Sequence, residues 1–326
     1  MNILVTGGAG FIASHIVDAL IEQGHTVVAV DNLSTGSVEN VDKRARFYPI
    51  GIMDDALEDV FSVFQPEIVI HHAAQVAVHA SMLHPKFDAH TNIVGTLNVL
   101  ERCVEHKVRK FIYASSAAVY GIPVSLPIRE DHPIEPINGY GISKYTPEAY
   151  IRLFAQQHGL DYTILRYANV YGERQSAEGE AGVVSIFIDR LLQGKVSEIY
   201  GDGEQTRDFV YVRDVVEANL RALEAGSRQI INIGTNKQIS VNELYKLLCA
   251  LTGRQLEAVR NPERPGDIRH SRLDNTHAAA VLGWRPQTPI EEGLARTVSY
   301  AIGRAAADRQ VGYDSLSVPT GLRRLQ

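Results

Sequence analysis

Short, uninterrupted apolar runs alternate with stretches of helical period through the first half of the chain. Residues 3–6, 26–30, 67–71, 110–114 and 162–166 are such runs. Rich in Val, Ile and aromatic residues, and with little polar alternation, they predict strands buried on both faces. Residues 11–22, 91–105 and 143–157 read as helices between them. That alternation predicts an α/β fold, a doubly wound parallel sheet covered by helices on both sides. The pattern changes after Asn169. A polar stretch, 173–182, leads into an apolar helix at 183–192, and 230–233 reads as a last strand that rejoins the sheet. A helix near 241–251, a turn-rich segment at 261–266 and two short helices follow. Residues 1–168 and 210–236 are therefore expected to form the larger domain. Residues 169–209 and 237–302 are expected to form a smaller α+β domain that binds substrate, and 303–326, which lose the periodicity, a tail.

Composition narrows the class. The 326 residues are 45% hydrophobic and 21% charged, enough for a sizeable core. A net charge of −6 argues against nucleic acid as a partner. No apolar run is long enough for a membrane span. The N-terminus enters a buried strand directly, without the basic and apolar regions of a signal peptide. Cys103 and Cys249 stand far apart, as core fillers in a reducing cytoplasm would.

The first strand runs into Gly7-Gly8-Ala9-Gly10-Phe11-Ile12-Ala13. Gly7 suits a tight turn, and Gly10 lets backbone N–H groups at a helix start approach a diphosphate. The third glycine of such a motif is here Ala13, a change of packing more than chemistry. Asp31 ends the second strand, 21 positions after Gly10. Its carboxylate accepts ribose hydroxyls and repels a 2′-phosphate, and no Lys or Arg stands between Asp31 and Val41. Strand, glycine turn, helix and acid together make a Rossmann-type site with NAD as the cofactor.

Tyr140 and Lys144 form the only Tyr-x-x-x-Lys in the chain. On a helix they share a face, where a cationic Lys favours the phenolate and makes Tyr a usable general base. The run ending in Ala114-Ser115-Ser116 brings a hydroxyl to the carboxyl edge of the sheet, where ligands bind. His71, His72, His79, His84 and His90 lack metal-ligand spacing, so no metal is expected.

Taken in order, Thr6-Gly7-Gly8-Ala9-Gly10-Phe11-Ile12, Asp31-Asn32-Leu33, Ser116, Tyr140-x-x-x-Lys144 and the run Arg207-Asp208-Phe209-Val210-Tyr211-Val212 resemble the extended short-chain dehydrogenases/reductases, nearest the nucleotide-sugar epimerase/dehydratase branch. The resemblance covers roughly residues 1–300. It implies that Phe11 and Ile12 lie along the cofactor diphosphate, that Asp31, Asn32, Leu33, Ser34, Thr35 and Gly36 hold the adenosine ribose, and that Ile52 meets the adenine. Gly51 replaces an Asp common there. His72, Ala73, Ala74, Gln75, Asn92, Ser115 and Tyr167 would complete the cofactor site. Asn169, Val184, Tyr200, Arg207, Arg264, Asp267 and Ser271 would join Ser116 and Tyr140 around a nucleotide sugar, the two Arg pairing with its diphosphate.

Similar dehydratases and decarboxylases carry an acid just after the Ser or Thr, where this chain has Ala117-Ala118. The remaining Ser116, Tyr140 and Lys144 resemble the minimal set of the branch's 4-epimerases, and that resemblance implies 4-epimerisation of a UDP-hexose (glucose/galactose) through a transient 4-ketose, with a small Ser271, where such enzymes often carry a Tyr, leaving room for N-acetylated sugars. Epimerisation of UDP-glucuronate, reduction of a 4-ketosugar and a non-catalytic NAD sensor are the alternatives. The resemblance also implies a homodimer built on the 91–104 helix and the Tyr140 helix. Pro147, inside that second helix, is expected to bend it beyond the Tyr–Lys pair.

Overall fold

The structure, a computed structural model, describes residues 1–177, 182–263 and 267–316, with side chains given up to 306. In chain order the elements are β1 (Asn2–Thr6), α1 (Phe11–Glu22), β2 (Thr26–Val30), β3 (Arg46–Tyr48), α2 (Ala56–Phe64), β4 (Ile68–His71), α3 (Val78–Leu83), α4 (Pro85–Ala89), α5 (Gly95–Glu105), β5 (Lys110–Ser116), α6 (Gly139–His158) and β6 (Asp161–Tyr167). There follow β7 (Asn169–Tyr171), α7 (Val183–Leu192), β8 (Glu198–Tyr200), β9 (Thr206–Arg207), β10 (Phe209–Tyr211), α8 (Val212–Ala222), β11 (Gln229–Ile233), β12 (Ile239–Ser240), α9 (Val241–Thr252), β13 (Val259–Asn261), α10 (Thr276–Leu282) and α11 (Ile290–Leu316).

Seven parallel strands form the central sheet in the order β3-β2-β1-β4-β5-β6-β11. This is the Rossmann-type doubly wound sheet that the alternation predicts. Strand side chains alternate between its faces. Ile3 and Val5 of β1 pack with Ile16, Val17 and Leu20 of α1 and Val215 of α8. Leu4, between them, joins Phe61 of α2, Leu100 of α5 and Ile151 of α6 on the other side. From β1 the chain winds outward to β3, then returns to β4 and winds the other way. The crevice at this reversal lies at the carboxyl ends of the strands, where α/β sheets place their ligands. Gly7, His72 and Ser116 stand at or just past the ends of β1, β4 and β5.

Away from the sheet, Phe187 and Leu191 of α7, Leu244 and Leu248 of α9 and Leu294 of α11 share a third apolar cluster. Three two-stranded pieces, β7/β10, β9/β12 and β8/β13, surround it. Two of the pattern's expectations fail here. The last helix is not short, because α11 runs 27 residues and continues through the stretch read as a tail as far as Leu316. The short edge strand β3, whose residues are exposed or half-buried, carries too little apolar signal to be read from the sequence. The helix read from 91 starts instead as a π turn at His90–Val94, and α6 continues through Pro147 to His158.

Candidate active site

A cleft of about 730 Å³ runs along this sheet edge. Its described wall includes Gly7, Gly10, Phe11, Ile12, Asp31, Asn32, Ser34, Thr35, Ile52, His72, Ala73, Ala74, Ser115, Ser116, Tyr140, Tyr167 and Asn169, which spacing and resemblance assign to ligands. The glycines are there because backbone passes close. Gly7 has φ +70, and a Cβ on it would lie 2.8 Å from the backbone N of Ala73. The α1 N-terminus, at Gly10, has no side-chain cap and no acid in its first turn, which leaves its first N–H groups to an anionic ligand. Asp31, 9% exposed, accepts from the N–H of Ala9 at 3.0 Å and of Leu33 at 2.8 Å. Burial pushes its carboxyl above the usual range, and these backbone donors oppose the shift. Each oxygen keeps lone pairs for a ribose diol. An uncapped helix start, a glycine cradle and a fixed acid are the donor and acceptor set NAD requires, so the residues fit it.

The reacting end is assembled from three elements. Ser116 closes β5, and its Oγ accepts from the Ala118 N–H at 3.1 Å, so its own hydrogen is not used in that bond. Tyr140 and Lys144 lie in the first two turns of α6, which starts four residues before the 143–157 helix expected from the pattern. Asn138 caps that start by accepting from the Gly141 N–H at 2.8 Å, and Ser81 accepts from the Tyr140 N–H at 2.9 Å. Lys144, 4% exposed, donates from Nζ to the carbonyl of Ala114 at 3.0 Å. The lysine of the helix is thereby tied to the strand that carries Ser116. His72 Nε2 lies 3.1 Å from the Tyr167 hydroxyl, which also accepts from Asn219 Nδ2 at 2.8 Å. Burial, aided by the charge of Lys144, pushes the His72 pKa down to about 3. It is therefore neutral at neutral pH.

Two glycines flank Tyr140, and their role was not read from the sequence. A Cβ on Gly141 would lie 2.6 Å from the Ala118 carbonyl, and one on Gly139 2.8 Å from that of Ser81. A side chain at Gly141 would push α6 off the turn that follows Ser116, and one at Gly139 would push it off α3. Gly141→Ala is expected to destabilise the protein by about 1–3 kcal/mol through this overpacking, and to lower turnover more than the affinity for substrate. Denaturant unfolding and steady-state kinetics check both.

Several expected ligand residues do not line the described cleft. Asn92 Oδ1 accepts from the Gln75 N–H at 2.7 Å, and its Nδ2 donates to the Gln75 carbonyl at 2.8 Å and to Ser143 Oγ at 2.9 Å. Asn92 thus braces α6 and the segment after β4 from behind, and Gln75 points to Asp88. Gly36 packs on Ala9, and Leu33 is outside the wall. Val184 is 1% exposed in the apolar cluster of α7 and α9, because the helix turns it inward. The Tyr200 hydroxyl donates to Glu198. Arg207 Nη2 pairs with Asp267 at 2.6 Å, and Ser271 is joined through its backbone to Thr206, next to Arg207. The fold therefore brings Arg207, Asp267 and Ser271 together, but beside a second cavity that Arg207 shares with Lys237 and Lys246. Arg264 lies outside the described residues. Ala13 of α1 and Gly51, the two departures from the motif, do border the cleft; Ala13 also packs in the core, and the Gly51 N–H donates to Asp54 at 2.6 Å.

His71 and His72 face opposite ways. His71 bonds Thr6 and Thr96 inside the sheet layer, and His72 faces the cleft. Among the described residues the one trio close enough to share a metal is Glu58, Glu105 and His106. Arg102 already pairs with both of its carboxylates.

The fold and this cleft define an enzyme of the Rossmann class that works with a dinucleotide. The profile of the NAD dependent epimerase/dehydratase family matches residues 3–234, and the chain belongs to that family. The UDP-glucose 4-epimerase of Mycolicibacterium smegmatis is 43% identical over 307 residues, 92% of this chain and 98% of the relative. The crystal structure of UDP-glucose 4-epimerase from Thermotoga maritima with UDP-glucose matches with TM-score 0.92 and 51% identity, over 94% of this chain and 100% of that one. That of Thermus thermophilus UDP-glucose 4-epimerase in complex with NAD matches with TM-score 0.89 and 40% identity, over 93% and 99%.

Proposed function

We propose that this protein is an NAD-dependent 4-epimerase of UDP-hexoses that interconverts UDP-glucose and UDP-galactose. One observation carries the reading. A single cleft joins the dinucleotide frame to Ser116 and Tyr140, and Asp31, at the ribose end, is the only carboxylate among its described lining residues. Among the described residues no second acid lines the cleft beside Ser116 to drive elimination or decarboxylation, and Ala117 and Ala118 occupy the turn there. Tyr140 takes the proton of the C4 hydroxyl and later returns it, while Ser116 hydrogen-bonds the same oxygen. Lys144, held on the Ala114 carbonyl, supplies the positive charge on the Tyr140 face of α6. NAD, held by Gly7, Gly10, Asp31 and the start of α1, would supply the reversible hydride acceptor for C4. The redox balance of a cycle is nil, so the cofactor need not leave.

Asn169, Arg207, Arg264, Asp267 and Ser271 are assigned to the sugar nucleotide, with the small Ser271 admitting a 2-N-acetyl group. The assignment puts residues 1–168 and 210–236 in the cofactor domain and 169–209 and 237–302 in the substrate domain. Phe87, Val94, Ile142 and Leu153 stand exposed on neighbouring helical segments, a face suited to a homodimer and checked by sedimentation at twice the chain mass. Two unpaired cysteines fit a cytoplasmic enzyme.

The test is incubation of the purified protein, without added cofactor, with UDP-glucose, UDP-N-acetylglucosamine and UDP-glucuronate, followed by proton NMR. Formation of the C4 epimer of UDP-glucose is expected. A 4-keto-6-deoxy product, or turnover only with added NADH, would overturn the reading. Turnover of UDP-glucuronate alone would move it to that substrate.

A further inference from the structure

Residues 174–176, just past β7, form part of the cleft wall. Arg174, Gln175 and Ser176 all line it, together with Gly10, Phe11 and Ile12. Arg174 is the one Lys or Arg among the described lining residues. Of the two arginines expected at a diphosphate, Arg207 pairs with Asp267, and Arg264 is not among the described residues.

The segment is pinned to the dinucleotide helix. Arg174 Nη2 pairs with Asp18 of α1 at 2.8 Å. His15, also on α1 and 1% exposed, donates from Nε2 to the Glu173 carbonyl at 2.9 Å. The Glu173 carboxylate accepts from the Tyr211 hydroxyl at 2.7 Å. Burial holds the His15 pKa down at about 4, so its ring is the neutral donor this bond needs. Arg174 has φ +65, a left-handed conformation uncommon for a residue with a Cβ. Three polar atoms of this neighbourhood are left over, one of them His15 Nδ1. Arg174 Nη1 and Gln175 Oε1 are buried without any hydrogen-bond partner. A buried guanidinium N–H with no acceptor is costly, and a planar fork with one side already held by Asp18 suits a phosphate on the other.

We infer that Arg174 binds a nucleoside diphosphate through Nη1, with Asp18 and His15 of α1 as positioning residues that fix the segment. This deepens the NAD-epimerase reading and rests on it. The diphosphate of the cofactor and that of the sugar nucleotide offer the same oxygens, and the experiment separates them. The shared wall with the α1 N-terminus favours the cofactor.

The experiment uses the holoenzyme. Wild type, Arg174→Ala, Arg174→Lys and Asp18→Asn are desalted, and the release of bound NAD is followed with an NAD-degrading enzyme in the medium. UDP binding is measured on the same samples by calorimetry. Loss of one charge-assisted contact is expected to speed release of NAD by roughly 10–100-fold in Arg174→Ala. Arg174→Lys should restore part of this, and Asp18→Asn, which keeps the guanidinium, should lose less than Arg174→Ala. UDP binding weakened to that extent with NAD release unchanged would support the diphosphate contact and assign it to the substrate. Unchanged NAD release and UDP binding would overturn the inference. So would equal losses in all three variants, since the segment would then act by packing alone. A wild-type protein that holds neither NAD nor UDP would sink the functional reading itself, and this inference with it.

Discussion

Tyr140→Phe is expected to lower kcat by about 10²–10⁴-fold, the usual weight of a positioned general base, while the purified variant still carries NAD. The ring and its packing survive the change, and only the phenolic oxygen is lost. No neighbour can take over. Ser116 is a hydroxyl without a base, Asp31 is at the ribose end, and His72 is held neutral with its pKa near 3. Cofactor binding should persist because it rests on Gly7, Gly10, Asp31 and the start of α1. Turnover by NMR and NAD released by acid from desalted protein give the two readouts. Near-wild-type turnover would remove Tyr140 from the mechanism, and loss of NAD would show the variant to be misfolded or Tyr140 to be chiefly a cofactor anchor.

The second large effect is on stability. Glu148, fully buried one turn past Lys144, accepts from Arg166 Nε at 2.9 Å, from Arg166 Nη2 at 2.6 Å and from Ser115 Oγ at 2.6 Å. Arg166 Nη1 then donates to the Tyr120 hydroxyl at 2.9 Å, which donates to Asn232 at 2.7 Å. The network joins α6, β5, β6, the turn after Ser116 and β11. Burial works against the charge on Arg166, and the bonds to Glu148 more than offset it, holding its pKa above the usual value. Glu148→Ala leaves a guanidinium buried without its partner and should cost about 3–5 kcal/mol. Glu148→Leu combined with Arg166→Met should cost clearly less, because an apolar pair needs no counter-charge. Urea unfolding of the single and double variants decides it. A cost below about 1 kcal/mol for Glu148→Ala would mean the pair is not what holds α6 on the sheet.

How much of this was legible in the chain depends on distance along it. Ser240 and Glu243 show the easy case: a capping box at the start of α9, three residues apart and wholly local. The Tyr140–Lys144 spacing, the glycine turn after β1 and Asp31 are likewise short-range patterns; Gly7, Gly10, Asp31 and Tyr140 line one cleft, and Lys144 is buried behind it on the Ala114 carbonyl. Arg174 and Asp18 are 156 positions apart, so neither predicts the other. Arg207 and Asp267 were both expected at the sugar nucleotide, but their ion pair across 60 positions, made where β9 comes beside the later segment, has no local signal. Gly141 carried a signal, a glycine inside a helix that starts with another, but its reason, the Ala118 carbonyl, is a contact of the folded chain.

The sequence by itself determined the strand and helix alternation, the dinucleotide motif, the Ser116, Tyr140 and Lys144 set proposed for the reacting end, and the two alanines that follow Ser116. These follow from side-chain period and local backbone preference, which act within a few residues. Only the tertiary structure decided where buried charges find partners: Lys144 on the Ala114 carbonyl, Glu148 on Arg166, Asn92 behind the cleft and Arg174 in its wall. A buried polar group must be paired. Its partner is whichever group the sheet order brings opposite, and that order is a property of the whole chain.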